Sequence, residues 1–200
     1  MIHIHKPSDQ QIQIFLTAQR VLPFNYAAVG ATQRQPPAGY AVDHNRVQVG
    51  VGQTTFEAAK AAIRRWQMFD LGWVQLCWPI APLVLGTTVG VLANAFGGWT
   101  LNACRIVYLV DEMGEEDGLA VERFGFAYGT LPGHLARGEE RFMVEWRQDN
   151  DTVWYDILAF SQPNHWLARL GYPIVRQFQK RFARDSKRAM VSGGCSQINR

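Results

Sequence analysis

The chain has 200 residues, 48% of them hydrophobic and 18% charged, which suits one domain with its own core and excludes a disordered chain. Three scattered cysteines, Cys77, Cys104 and Cys195, form no Cys-x-x-Cys pair, which argues against a disulfide framework and a zinc site. The net charge of +3 is uneven: residues 164–200 carry eight Lys/Arg against one Asp, so the rest of the chain is acidic.

Residues 1–38 show few regular signals. The polar run Ser8, Asp9, Gln10, Gln11 leads into a single amphipathic helical turn over 12–16, and Pro23, Pro36 and Pro37 suggest an arm lying on the fold. His3 and His5 read as a frayed end rather than a metal site. No apolar run near the start resembles a signal peptide, so a cytoplasmic location is expected. Residues 40–51 alternate, with Val47, Val49 and Val51 interleaved by Arg46, Gln48 and Gly50, and predict a strand. Thr54 or Thr55, with Glu57, is placed to cap a helix whose face carries Phe56, Ala59, Ile63 and Trp66.

Strands are predicted at 71–78, 87–95, 103–111, 122–131, 140–147 and 152–161. They are joined by an acidic turn at 113–118, a loop at 132–138 and a polar turn at 148–151. Such short links favour antiparallel neighbours. The longest apolar stretch, 73–91, is broken by Pro79, Pro82, Gly86 and Gly90, so no transmembrane segment is expected. Asn164 suits an N-cap, Pro173 a kink, and Gly193-Gly194 a stop for a long C-terminal helix. On it Ile174, Phe178 and Phe182 recur every four residues, which predicts an apolar inner stripe with the arginines outward.

One strand, a helix, six strands and a long helix predict an α+β fold: a curved antiparallel sheet of about seven strands wrapped around the C-terminal helix. The arm would span 1–38, the domain 39–192 and a disordered tail 193–200. This order of elements resembles the helix-grip fold of the Bet v 1/START superfamily, whose members hold lipids, sterols, polyketides and plant hormones between sheet and helix. Local sequence resembles a narrower group. Leu101-Asn-Ala-Cys-Arg-Ile-Val-Tyr108, Phe124-Gly-Phe-Ala-Tyr-Gly-Thr-Leu-Pro-Gly-His134 and Gly138-Glu-Glu-Arg-Phe142 look like uncharacterised protein family 0548, as do Tyr26-Ala-Ala-Val-Gly30, residues 50–52 and Arg65-Trp66. That resemblance implies a fold and no catalytic residues.

The candidate site centres on loop 129–140. His134 has the chemistry of an acid or base, and Glu140 could orient it. The competing reading is a hairpin loop whose side chains satisfy their own backbone. Arg105, inside an apolar strand, points either to solvent or inward, where it needs a carboxylate such as Glu140, Glu145 or Asp156, or an anionic ligand. Phe124, Phe126, Tyr128 and Thr130 share one face of their strand. With Trp154 and Phe178 they supply either core or the wall of a cavity. Arg105, Tyr128, Thr130, His134, Glu140, Trp154 and Phe178 are therefore the ligand-binding candidates, with no metal and no cofactor expected. The favoured function is non-enzymatic binding of a small apolar or amphipathic molecule. Alternatives are an enzyme acting on such a molecule, or an interaction protein using the basic helix. Nucleic acid is not an expected partner, since no known nucleic-acid motif is present.

Overall fold

A computed structural model of the chain describes residues 2–95, 97–164 and 172–195. In chain order the elements are β1 (Ile2–His3), α1 (Asp9–Arg20), β2 (Ala41–Val51), α2 (Gly52–Arg64), β3 (Val74–Leu76), β4 (Thr88–Ala95), β5 (Gly98–Glu116), β6 (Leu119–Thr130), β7 (Ala136–Arg147), β8 (Thr152–Pro163) and α3 (Tyr172–Cys195). The strands form one antiparallel sheet in the order β2-β8-β7-β6-β5-β4-β3, with β1 added to β5. The sheet curls, and α2 and α3 fill its concave side. This is the wrapped architecture that the element order predicts.

Alternation decides which side chains face inward. Phe124, Phe126 and Tyr128 of β6, Phe142 and Val144 of β7, and Val153, Tyr155 and Ile157 of β8 point into the concavity. There they form one core with Phe56, Ala59 and Ile63 of α2, with Trp66 and Phe69, and with Met190 of α3. The rings pack at close range, as in Phe126–Trp66 at 4.7 Å and Phe142–Phe69 at 5.3 Å between centroids. Such pairs add stability beyond the area they bury.

The structure corrects several local expectations. Residues 9–20 are a three-turn helix rather than one turn. Ser8 and Gln11 form a reciprocal capping box, and Ile12 and Leu16 pack on Leu92, Leu101, Ala103 and Leu131 of the convex face. The acidic segment after residue 112 stays in β5 to Glu116, because Asp117 and Gly118 alone make the turn, both at positive φ. Helix α2 begins at Gly52 without a side-chain cap. Thr55 Oγ1 instead donates back to the Val51 carbonyl at 2.6 Å. Helix α3 runs through Gly193-Gly194 to Cys195. Its apolar stripe is also rearranged: Phe182 packs on the core, but Ile174 is 46% exposed, and Arg176 turns inward to Asp43 of β2. Asn164 donates through Nδ2 to the His134 carbonyl at 2.9 Å. A cap at Asn164 and a kink at Pro173 depend on residues 165–171, which lie outside the described residues, as do residues 196–200 of the expected tail 193–200.

Candidate functional site

Strand register builds a transverse row across the concave face. Asp43 of β2 stands beside Ala159 of β8, Ala159 beside Glu140 of β7, Glu140 beside Tyr128 of β6, and Tyr128 beside Ile106 of β5. The next inward row, Ile157, Phe142 and Phe126, is closed and apolar. Glu140 thus sits at the boundary of the core, flanked on its face by the small side chain of Ala159.

Tyr128, 6% exposed, donates its hydroxyl to Glu140 Oε2 at 2.8 Å. Among the described residues that is the carboxyl's one hydrogen bond, and no cation pairs with it. Burial pushes the Glu140 carboxyl up to about 7. The Tyr128 hydrogen bond opposes the shift, and the carboxylate of Asp43 adds to it. Burial and the nearby Glu140 likewise raise the Tyr128 hydroxyl and the Cys104 thiol.

Helix α3 is fastened around this row. Arg176 grips both oxygens of Asp43, one at 2.6 Å, and donates to Gln179 Oε1 at 2.8 Å. Gln179 donates to Ser161 Oγ of β8 at 2.9 Å. Further along the helix, Ser186 and Tyr155 share a buried hydroxyl–hydroxyl contact of 2.9 Å. On the other side Trp73 Nε1 donates to Asp185 at 3.1 Å, and Phe178 packs on the Trp73 ring at 5.7 Å. Polar contacts therefore hold the helix to both flanks of the sheet, with the Glu140–Tyr128 pair between them.

The convex face handles its carboxylates differently. Glu139, one residue from Glu140 and 2% exposed, accepts from the Tyr26 hydroxyl at 2.8 Å, Gly30 N at 2.6 Å, Thr32 N at 2.9 Å and the Thr32 hydroxyl. Tyr26 reaches it because residue 129 is glycine; a Cβ there would lie 2.1 Å from the Tyr26 hydroxyl. Asp156 binds His44 Nε2 at 2.6 Å and Arg141 at 2.8 Å. Burial would raise the Glu145 carboxyl, but Arg123, Arg46 and Arg147 surround it and hold it below its ordinary value.

Of the seven sequence candidates, the structure brings Tyr128 and Glu140 together and places Phe178 on the helix that covers the sheet. Arg105 lies on the convex face. Its Nη2 donates to the carbonyls of Gln19, Arg20 and Leu22 at 3.2, 2.7 and 2.8 Å and so closes the C-terminus of α1. An arginine in that position needs no carboxylate, because helix-end carbonyls are free acceptors. Thr130 is buried between Asn25 Oδ1, at 2.5 Å, and the backbone of Gly138. His134 Nδ1 accepts from its own loop, from Ala136 N at 2.9 Å. Burial pushes its pKa down to about 4, and Glu140 is engaged elsewhere. Trp154 lies on the convex face under the Arg46 guanidinium, 4.8 Å from the ring centroid.

Asp43, Arg176, Gln179 and Ser161 join the site without having been sequence candidates. The one available signal was a polar pair, Arg176 and Gln179, at helical spacing beside an aromatic stripe. A separate open cleft of about 440 Å³ lies between residues 80–84 and the β5–β6 edge, and none of the seven candidates lines it. Among the described residues no group of three or more His, Cys, Asp or Glu could hold a metal ion, and no helix is long and apolar enough to cross a membrane.

Among solved structures, a hypothetical protein from Helicobacter pylori matches with a TM-score of 0.46 at 12% identity, over 85% of this chain and 95% of that one. Ara h 8.0201 matches with a TM-score of 0.45 at 9% identity, over 77% and 99%. Human STARD10 matches with a TM-score of 0.41 at 12% identity, over 96% and 81%. These scores describe a distant likeness of outline. Sequence relatives are much nearer. A UPF0548 protein of Dictyostelium discoideum is 38% identical over 100% of this chain and 98% of its own length. A UPF0548 protein of Deinococcus radiodurans is 36% identical over 98% and 100%. The model of the domain of unknown function DUF1990 matches residues 25–189, a span holding every residue of the row from Asp43 to Arg176. The chain belongs to the DUF1990 family, together with these UPF0548 proteins.

Proposed function

We propose that this protein binds a small apolar or amphipathic molecule between α3 and the concave face of the sheet, with Glu140 and Tyr128 as its polar anchor. The observation that carries this reading is the state of Glu140: partly accessible, at the edge of an aromatic core, with a single neutral partner among the described residues. A carboxyl left so is costly unless something else completes its bonding. Ligand sites are typically mostly apolar with a few such groups. Ala159, partly exposed beside it, and Phe182 of α3, partly buried over the core, are the small and flat surfaces that such a molecule would meet. The expected setting is cytoplasmic, in keeping with the free thiols of Cys77 and Cys104.

Native mass spectrometry of the freshly purified protein tests the reading, with saturable binding of the apolar fluorophore N-phenyl-1-naphthylamine as a second measurement. A co-purifying small molecule or saturable fluorophore binding is expected. Absence of both would overturn the proposal.

A second reading has one observation in its favour. A carboxyl titrating near 7 is tuned for proton transfer at physiological pH, so Glu140 would be the acid or base if the bound molecule is also transformed. Of the polar candidates, Tyr128 alone would assist it, since Arg105 and His134 are occupied elsewhere. The basic helix has less to offer as an interaction surface: Arg176 is held by Asp43, and Arg181, Arg184 and Arg188 cluster around Asp185.

A further inference from the structure

We infer that the polar end of the bound molecule is a cation, an amine or a related ammonium group, and that Glu140 is its counter-ion. This inference rests on the proposed binding between α3 and the concave face, and narrows it from any amphiphile to cationic ones.

The charges around the row carry the argument. Glu140 has no cationic partner among the described residues, and its one hydrogen bond comes from a neutral phenol. The same stretch of β7 holds Glu139, whose four donors are also neutral. Among the described residues, the groups near Glu140 on neighbouring elements are Tyr128 on β6, Cys104 on β5, Tyr155 on β8 and Asp43 on β2, whose partner is Arg176 on α3. Of these, Arg176 alone is cationic, and Asp43 holds it in a two-point grip. Lys180 is exposed. With Glu140 ionised, the described groups around it therefore carry two carboxylates against one guanidinium. Such a field repels a carboxylate or phosphate head and attracts an ammonium.

Phe182 of α3 is partly buried and packs on the buried rings Phe69 and Phe142, with centroids 5.4 and 6.3 Å away. A partly exposed ring attracts a cation and accepts an alkyl chain. Glu140 Oε2 already receives the Tyr128 hydroxyl, while Oε1 accepts nothing from a described residue, so one oxygen is open to an N–H donor. A charge-assisted contact there is roughly twice as strong as one from a neutral hydroxyl. An ammonium needs the ionised carboxylate, so binding strengthens as pH rises through the titration of Glu140.

Three matched probes test this: dodecylamine, dodecanol and dodecanoate, each displacing N-phenyl-1-naphthylamine from the full-length protein at pH 5 and pH 8. At pH 8 the amine should displace about tenfold more tightly than the alcohol, and dodecanoate should be weakest. The amine's advantage should largely vanish at pH 5 and in Glu140→Gln at both pH values. A urea-unfolding transition at pH 4 close to that of the parent shows that the Gln variant remains folded. If dodecanol or dodecanoate matches the amine at pH 8, or if Glu140→Gln keeps the amine's advantage, the counter-ion assignment is wrong while the apolar site stands. If neither the fluorophore nor any probe binds, the binding reading itself falls, and the amine assignment with it.

Discussion

Glu139 and Glu140 are chemically identical neighbours on β7, and their fates differ because a strand sends successive side chains to opposite faces. Glu139 goes to the convex side, where residues 26–32 fold over it and deliver four donors. Glu140 goes to the concave side and, among the described residues, finds one phenol. The convex face behaves throughout like a structural surface. Its buried acids Glu145 and Asp156 are enclosed by arginines and His44, and its buried polar groups hold strands and arm together. The concave face is an apolar core interrupted, among the described residues, by a single under-satisfied acid. A buried charge that is fully bonded reports on folding, whereas one left open points toward what it binds.

The largest expected effect tests that contrast directly. Glu139→Ala leaves Tyr26, Gly30 and Thr32 without their shared acceptor and should destabilise the fold by about 3 kcal/mol or more, measured by urea unfolding. The equivalent change at Glu140 should cost far less. Equal losses at the two positions would erase the distinction between the faces.

The next effect has the opposite sign. The folded carboxyl of Glu140 titrates near 7, above its value in the unfolded chain, so the folded state resists its ionisation. Its contribution is favourable below the unfolded pKa and is lost as pH rises from about 4.5 to about 7. Glu140→Gln should therefore stabilise the protein at pH 8, on the order of 1–2 kcal/mol, and change little at pH 4. A variant less stable than the parent at pH 8 would mean that Glu140 has a cationic partner in solution.

Arg105→Met removes the cap of α1 while keeping much of the apolar stem. A loss of about 1–2 kcal/mol is expected, with amide exchange accelerating first in residues 12–20. Uniform acceleration across the sheet would place Arg105 in some other role. The smallest effect belongs to His134. Its folded pKa of about 4 lies below the unfolded value, so the stability it provides is present above about pH 6.5 and is lost as pH falls toward 4. His134→Gln should flatten this acid limb by roughly 1 kcal/mol. An unchanged limb would mean that the imidazole is already protonated in the fold.

Much of the architecture was legible in the chain. The alternation of Phe124, Phe126 and Tyr128, and of Phe142, Val144 and Trp146, states which residues share a face, and the element order implies the curl around α3. The first helix is longer than its periodicity predicts despite its Ser8–Gln11 capping box, because its buried face, Ile12 and Leu16 with Phe15 beside them, is short and draws its stability from the convex surface. Arg105 could not be placed from its strand alone, because its partners are carbonyls more than eighty residues earlier.

Periodicity is a local property of a strand, so the sequence by itself determined that Glu139 and Glu140 face opposite ways and that Glu140 shares its face with Phe142. Register and coverage depend on segments far apart in the chain. Only the tertiary structure decided that Asp43, Ala159, Glu140 and Tyr128 form one row, and that the arm completes the first glutamate and leaves the second open.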